Sequence, residues 1–404
     1  MSYDTVPNER HFTRRHDLDW LRVAAFGLLI LYHVGMFYVT WDWHVKSPHA
    51  SRVLEPAMVL VNPWRLALLF FISGIALRFA LDKTALASFV GNRFLRLFIP
   101  IAFGMLVLVT PQSYFELLSN GEIEPGYWRF YPDYLSLTQH FSIITPTWNH
   151  LWYVVYLLVY TLIVAATSPL LSRIADGPAA RFLAWLGRGR LGLRIVLVPA
   201  LPFIVYHFCL SPHFPTTHGL FDDWANHANN LTILLLGYMA AKSRHFWQAV
   251  EAARSRALGT ALALALILTV AYLNAGWVRQ QDGMLSAFFT LRIVYAWVVI
   301  LALLGVARRW FNRPGPVLTY LTGAVFPFYI LHQTLIVVIG AALIPLVLPA
   351  AAEAAIIITG TIVGCFAGYE IIRRIPPLRP LFGLPMRERP SGKQGQAAIA
   401  GPAE

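Results

Sequence analysis

Residues 20–34 read Trp-Leu-Arg-Val-Ala-Ala-Phe-Gly-Leu-Leu-Ile-Leu-Tyr-His-Val, an apolar stretch that carries two ionisable side chains, Arg22 and His33. Because an α-helix turns by about 100° per residue, the two side chains lie on nearly the same helix face, roughly 16 Å apart along the axis. Lipid tolerates neither group cheaply, and ionisable residues inside a membrane span are candidates for functional sites. The stretch predicts a membrane helix with a cation near one surface and a titratable imidazole well beyond it.

The composition extends this prediction to the whole chain. Of the 404 residues, 57% are hydrophobic and 13% are charged, whereas a soluble domain carries about 25% charged residues. Apolar runs close to the ~20 residues needed to cross a bilayer recur throughout. The sequence predicts an all-α integral membrane protein with about ten transmembrane helices. Their approximate limits are 18–40, 64–82, 95–112, 151–173, 191–210, 229–244, 257–277, 285–307, 319–345 and 351–373.

The positive charges indicate how the chain is oriented. The formal net charge is +12, and lysine and arginine gather in every second loop, whereas the alternate loops are acidic or mixed. This is the positive-inside pattern, and it predicts that both termini are cytoplasmic. Because the basic residues are concentrated in alternate loops, the positive net charge does not indicate a nucleic-acid partner.

The sequence predicts one membrane domain flanked by two short segments. The domain covers residues 18–375, between a cytoplasmic N-terminal segment, 1–17, and a cytoplasmic, disordered tail, 376–404, which is rich in Pro, Gly, Ala and Gln. Cys209 and Cys365 both fall inside predicted spans, so neither a disulfide framework nor a zinc site is expected. No metal-binding His-Glu pattern accompanies the other polar residues, and no metal is predicted.

The first helix holds the strongest candidates for chemistry. If it enters the hydrocarbon near Trp20, His33 lies about 20 Å deep, in the outer half of a ~30 Å core. A neutral histidine there could accept a proton from a hydroxyl; the alternative is a packing histidine bonded to a neighbouring helix. Asp19 precedes Arg22 by one turn, so the two can pair at the cytoplasmic boundary. Arg22 is therefore either a snorkelling residue with a local counter-ion or a group that binds substrate.

Two further motifs have both a structural and a functional interpretation. Ser73 and Gly74 in the second span allow close helix approach, and they would also let an extended acyl-pantetheine-like chain pass close to backbone. Arg93 and Arg96 lie one turn apart at the start of the third span. Positive-inside anchoring explains them, but a guanidinium pair on one face also suits phosphates.

Polar residues also occur in the fourth and ninth spans. His150 and Trp152 open the fourth from outside, and Tyr329, His332 and Gln333 share one face of the ninth. Such a stripe is costly in lipid unless its groups are hydrogen-bonded or line a cavity.

Taken together, these motifs resemble the membrane acyltransferase 3 family. The resemblance rests on Arg-x10-His in the first helix, Phe-Phe-x-Ser-Gly at 70–74 and Arg-x-x-Arg at 93–96. It spans nearly the whole chain, to about residue 385, with about ten spans and a cytoplasmic N-terminus. Stretches similar to a subgroup linked to succinylation of periplasmic glucans are 40–45, 150–153 and 369–376.

The resemblance implies an O-acyltransferase of the bacterial inner (cytoplasmic) membrane. Such an enzyme would move an acyl group, acetyl or succinyl, from cytoplasmic acyl-CoA to a hydroxyl of a glucan or other envelope polysaccharide at the periplasmic side. Acyl-CoA is then a co-substrate, and no bound cofactor is expected. His33 would act on the acceptor hydroxyl. The expected donor-binding residues are Arg22, Arg93, Arg96, Ser73 and Gly74. The expected supporting residues are Asp19, His150, Trp152, Tyr329, His332, Gln333 and Glu370.

Two other classes of protein remain open at this point. A transporter or exporter of a small anion or glycan could use the same buried charges along a translocation path. The sequence shows neither the internal repeats nor the matched broken helices typical of such transporters. A membrane scaffold could use polar residues to hold helices together, but Arg22 and His33 would then be costs without a function.

Overall fold

The computed structural model describes residues 14–136, 141–188 and 192–386, and throughout these ranges the chain contains helices and no β-strand. The α-helices are α1 (His16–Tyr38), α2 (Glu55–Leu81), α3 (Leu86–Phe103), α4 (Thr110–Ser119), α5 (Tyr127–Leu135), α6 (Trp152–Ala166), α7 (Ser168–Asp176), α8 (Pro178–Gly187), α9 (Leu193–Leu197), α10 (Leu201–Cys209), α11 (Trp224–Ala240), α12 (Arg244–Leu273), α13 (Ala275–Gln280), α14 (Met284–Trp310), α15 (Pro316–Leu343) and α16 (Ala350–Arg374). The prediction of an all-α protein is confirmed.

Eight helical segments within the described ranges are long and apolar enough to cross a membrane. They correspond to eight of the predicted spans, and the protein is therefore a multi-pass membrane protein. The other two predicted spans coincide with shorter helices. The span 191–210 is split into α9, a 3₁₀ turn and α10, and α11 has 17 residues. Ten crossings and two cytoplasmic termini stay predictions.

The second helix begins earlier than predicted. The sequence predicts a span from residue 64, but α2 begins at Glu55 with a proline in its first turn. Hydropathy misses this first part because Glu55, Asn62 and Arg65 interrupt the apolar pattern. Two of these polar side chains, Asn62 and Arg65, face a cavity between helices rather than lipid.

The third span is irregular where it passes the centre of the molecule. Residues Gly104–Leu108 form a π-helical turn between α3 and α4. Carbonyl groups that such a turn leaves unpaired need other donors inside a membrane. Three side chains supply them: the hydroxyl of Tyr134 donates to the carbonyl of Met105 (2.7 Å), that of Tyr131 to Leu106 (3.0 Å) and that of Thr334 to Leu108 (2.6 Å).

Polar contacts group the helix ends into two sets. At the first end the pairs are His16 with Asn312, Asp82 with Lys242 and Glu251 with Arg308; at the second they are Ser47 with Glu353, Glu55 with Tyr272 and His49 with the carbonyl of Leu348. We call the first set the basic end, because arginines gather there, and the second the far end. Helix α1 runs from the basic end to the far end and packs against α2, α14 and α15.

The first residues of the tail that the sequence predicts to be disordered have a defined structure. Residues 376–386 are folded, with 3₁₀ turns at Pro376–Leu378 and Pro380–Phe382. The ring of Phe382 is buried against Phe103 of α3, with ring centroids 5.4 Å apart. This apolar contact holds the segment at the basic end. Most of the predicted segment 1–17 and the remainder of the tail lie outside the described residues.

Candidate active site

Two histidines on different helices form a hydrogen-bonded pair at the centre of the protein. Nδ1 of His33 on α1 lies 2.8 Å from Nε2 of His332 on α15, and Nδ1 of His332 lies 2.6 Å from the carbonyl oxygen of Tyr329. A carbonyl can only accept, so Nδ1 of His332 carries a proton and its Nε2 accepts. With both imidazoles neutral, His33 donates from Nδ1. Its Nε2 is therefore left with a free lone pair, the form in which histidine acts as a base.

The imidazole of His33 lines a cavity of about 800 Å³, within the size range of small-molecule sites. The cavity lies between α1, α2, α6, α11, α14 and α15. Its wall is rich in amides, imidazoles and indoles, including Asn62, His150 and Trp152. No aspartate or glutamate belongs to this wall among the described residues, whereas Arg65 and Arg292 both do.

The loop between α10 and α11 closes one side of the cavity. The ring of His218 stacks on Trp152, with centroids 4.3 Å apart, and its backbone N–H donates to Asp223 (3.0 Å). The same carboxylate oxygen accepts from the hydroxyl of Tyr156 (2.6 Å). Burial lowers the pKa of His218, which favours the neutral form of this imidazole. The predicted residue Trp152 thus holds an aromatic wall in place.

A second polar network supports the cavity from α4 and α15. The side-chain amide of Gln333 donates to Nε2 of His44 (2.8 Å) and to the side-chain oxygen of Gln112 (3.0 Å). The other ring nitrogen of His44 contacts the carboxylate of Glu116. Gln112 also approaches Nδ1 of His150 (3.4 Å). The predicted residues Gln333 and His150 therefore belong to one connected group.

Arg22 lies away from the cavity, among other arginines at the basic end. Its Nη2 is 3.5 Å from the carboxylate of Asp19, as the one-turn spacing predicts, while its Nε is buried without a hydrogen-bond partner. The positive charges of Arg22, Arg93 and Arg96 lie close enough to repel one another. Nε of Arg96 donates to the carbonyl of Gly383 (2.9 Å). The structure thus brings the three predicted arginines together.

A short set of hydroxyl groups lies next to the histidine pair, where the ring of Tyr329 is 5.8 Å from that of His332. The hydroxyl of Ser73 is 3.0 Å from that of Tyr153, and the ring of Tyr153 lies 6.0 Å from that of Tyr329. The hydroxyl of Tyr329 donates to the carbonyl of His150. Ser73 is therefore connected to the histidine pair through Tyr153 and Tyr329.

Gly74 and Glu370 have different surroundings. A Cβ on Gly74 would lie 1.9 Å from the carbonyl oxygen of Leu234, so this glycine is required for the contact of α2 with α11. Glu370 lies in the penultimate turn of α16, where it accepts from Tyr320 (2.7 Å) and pairs with Arg373 and Arg374. Glu370 joins neither the histidine pair nor the three arginines, and its supporting role stays a prediction.

The residues of the cavity that were absent from the predicted site include Asn62, Arg65 and Arg292. The signal for the two arginines was present in the sequence, because both fall inside predicted spans. Like Arg22, both are ionisable residues within apolar spans and are therefore candidates for a functional site. His44 lies in the stretch 40–45 that carries the resemblance, and Gln112 is the last residue of the predicted third span, but neither belongs to the predicted site.

Comparison with known proteins agrees with the resemblance drawn from the motifs. Residues 15–370 match the Acyl_transf_3 model, described as an acyltransferase domain. The chain is similar to proteins named glucans biosynthesis protein C, the subgroup that residues 40–45, 150–153 and 369–376 indicate. The one from Salmonella schwarzengrund (strain CVM19633) is 25% identical over 96% of this chain and 98% of the relative. Those from Salmonella typhi and Salmonella typhimurium are each 24% identical, over 96% and 94% of this chain and 98% and 97% of the relatives. No solved structure matches.

Proposed function

The chain belongs to the acyltransferase 3 family, and from this premise we propose that it is a membrane O-acyltransferase that acts on an envelope glycan. The donor is acyl-CoA bound from the cytoplasm, and the acceptor is a sugar hydroxyl presented from the periplasmic side of the bacterial inner membrane. The transferred group is acetyl or succinyl. In this topology ten helices cross the membrane, the basic end is cytoplasmic and the far end is periplasmic.

The observation that carries the proposal is the position of His33. Its Nε2 has a free lone pair, and its ring lines a cavity large enough for a sugar residue. Aromatic faces such as Trp152 are suited to stack on a sugar ring, and side-chain amides such as Asn62 donate to and accept from hydroxyls. The site thus combines a base with an acceptor-sized polar cavity.

The transfer follows from this arrangement. Nε2 of His33 removes the proton from a sugar hydroxyl, and the oxygen attacks the thioester carbonyl. The tetrahedral intermediate collapses, the carbon–sulfur bond breaks and the new ester forms. His33 then returns the proton to the CoA thiolate. His332 acts as a positioning residue, because it accepts from Nδ1 of His33 and so fixes the tautomer and the ring orientation.

The three arginines of the basic end supply the donor site in this proposal. Arg22, Arg93 and Arg96 present a concentrated positive charge that suits the phosphates of CoA. The thin pantetheine arm would pass Ser73 and Tyr153 on its way to His33. A cytoplasmic donor and a periplasmic acceptor would then meet inside the protein.

The function is tested with purified protein in detergent, incubated with acyl-CoA and glucan. We expect thiol release that depends on the glucan, together with a matching mass increase of the glucan. Movement of glycan or anion across proteoliposomes without thioester consumption would instead identify a transporter. Absence of both would refute the proposal for these substrates and leave the scaffold interpretation.

The donor site predicts a defect confined to CoA binding. We expect Arg93→Gln to raise KM for acyl-CoA by about 10-fold or more, because a charge-assisted hydrogen bond contributes about 1.5–3 kcal/mol. The value of kcat should change little. Arg313→Gln, at an exposed position of the same end, is the control. Equal KM values for both variants would indicate that Arg93 only anchors the helix.

The positioning role of His332 predicts a graded effect. We expect His332→Ala to lower kcat by about 10- to 100-fold, because neutral hydrogen bonds contribute about 1 kcal/mol and misorientation adds to the loss. His332→Gln should recover part of this rate, since an amide oxygen can accept from Nδ1 of His33. The readouts are kcat, KM for acyl-CoA and the pH–rate profile, whose acidic limb should shift in the alanine variant. Unchanged kcat and pH profile would contradict the positioning role.

A further inference from the structure

The cavity beside His33 contains two arginines whose charges have no acidic partner. Arg65 on α2 is 8% exposed, and its Nη1 donates to the backbone carbonyl of Asn62 (3.2 Å). Nη2 of Arg292 on α14 donates to the side-chain oxygen of Asn62 (3.0 Å). Asn62 therefore holds two guanidinium groups from different helices at one wall of the cavity.

Neither charge is neutralised within the described part of the chain. No aspartate or glutamate forms an ion pair with Arg65 or Arg292 there, and none lines the cavity. Nε of Arg65 is buried without a hydrogen-bond partner. Its guanidinium carbon lies 3.4 Å from the centroid of the Tyr32 ring, which orients the group but does not cancel its charge.

Buried cations without a partner are costly, and intramembrane charges of this kind mark ligand or ion pathways. A guanidinium pair with open donors on a cavity wall is complementary to a carboxylate. The pair also lies close to the reacting group. Tyr32, whose ring lies against the guanidinium group of Arg65, directly precedes His33 in α1, and Arg65 and His33 line the same cavity.

We propose that Asn62, Arg65 and Arg292 form a carboxylate-binding site in the cavity that contains His33. This proposal rests on the acyltransferase function proposed above. The carboxylate enters the cavity either on a dicarboxylic acyl group or on an acidic sugar of the acceptor. Arg65 and Arg292 donate to its oxygens, and Asn62 holds the two guanidinium groups in position. The site thereby selects an anionic substrate over a neutral one of the same length.

The test compares two donors and two acceptors with the full-length protein in detergent. Succinyl-CoA and butyryl-CoA have the same acyl length and differ in the terminal carboxylate. A neutral β-glucan and a glucuronic acid-containing oligosaccharide differ in the same way on the acceptor side. The variants are Arg65→Gln and Arg292→Gln. Arg129→Gln, which is exposed on α5 at the far end, is the control.

We expect each cavity variant to lower kcat/KM for the anionic substrate by about 10- to 100-fold, the effect of one charge-assisted hydrogen bond. Transfer with the neutral counterpart should fall by a smaller factor, so that the preference for the anionic substrate is reduced, and Arg129→Gln should resemble wild type for all substrates. A loss confined to succinyl-CoA identifies the acyl group as the carrier of the carboxylate. A loss confined to the acidic oligosaccharide identifies the acceptor.

Other outcomes overturn the proposal. Equal losses with charged and neutral substrates would mean that the arginines act on a step common to all of them. No loss with any substrate would mean that the charges are structural. If wild-type protein transfers none of the acyl groups, the proposed function itself fails, and the variants then carry no selectivity to compare. Thermal unfolding of each variant, monitored in the same detergent, separates misfolding from lost recognition.

Discussion

Replacing His33 with alanine should lower kcat for acyl transfer by about 10²- to 10⁴-fold, the usual contribution of a general base. Both ring nitrogens of His332 take part in the hydrogen bonds that join His33, His332 and Tyr329, whereas Nε2 of His33 does not. His33 is therefore the member of the pair that can act as a base. Removing it leaves the acceptor hydroxyl without a base. The proposed donor site lies at the other end of α1, so the affinity for acyl-CoA should stay close to that of wild type.

The matched control is His213→Ala, at an exposed position outside the cavity wall. Both variants should insert into the membrane and elute as a single species, and binding of acyl-CoA should be measured for each by calorimetry. Retained turnover in His33→Ala would contradict the role of general base. Lost turnover combined with lost donor binding or with aggregation would show that His33 serves packing, the other interpretation open from the sequence.

Much of the fold was predictable because a helix that crosses lipid requires a long run of apolar residues. Runs of apolar residues identify the spanning helices, and eight of the predicted spans have counterparts of sufficient length. The beginning of α2 was misplaced for a reason linked to function. Asn62 and Arg65 break the apolar pattern, and both line the cavity. Windows of hydropathy are therefore least accurate where a helix faces a polar site.

The site was only partly predictable. The sequence selects His33 and Arg22 because both are ionisable groups within one apolar run. It cannot pair His33 with His332, since that contact joins α1 to α15 and depends on how the two helices are rotated about their axes. The same limit applies to Arg65 and Arg292, which share Asn62 although they belong to different helices. An ionisable residue within an apolar run can be recognised from the sequence alone. Its contacts with residues of other helices require the packed structure.

Gly74 has two interpretations, close packing of two helices and passage of the donor, and they predict opposite results when it is replaced by a larger residue. A Cβ at this position would lie 1.9 Å from the carbonyl oxygen of Leu234, and a Cβ on Gly237 would lie 2.0 Å from that of Phe71. Helices α2 and α11 therefore approach through a reciprocal pair of glycines, a close contact typical of membrane helices. Neither backbone can move without separating the helices. We expect Gly74→Val to destabilise the protein by at least about 3 kcal/mol, the upper range for overpacking.

The measurement is thermal unfolding in detergent, together with the monodisperse fraction on size exclusion. Gly237→Val should behave like Gly74→Val, because each glycine faces the backbone of the other helix. Gly259→Val on α12 is the control, since beyond its chain neighbours and the nearby backbone of its own helix no atom lies within 4 Å of its added Cβ. A Gly74→Val protein that stays monodisperse, unfolds like wild type and has a raised KM for acyl-CoA would refute the packing role. It would assign Gly74 to the passage of the donor, the role that the sequence predicts for it beside Ser73.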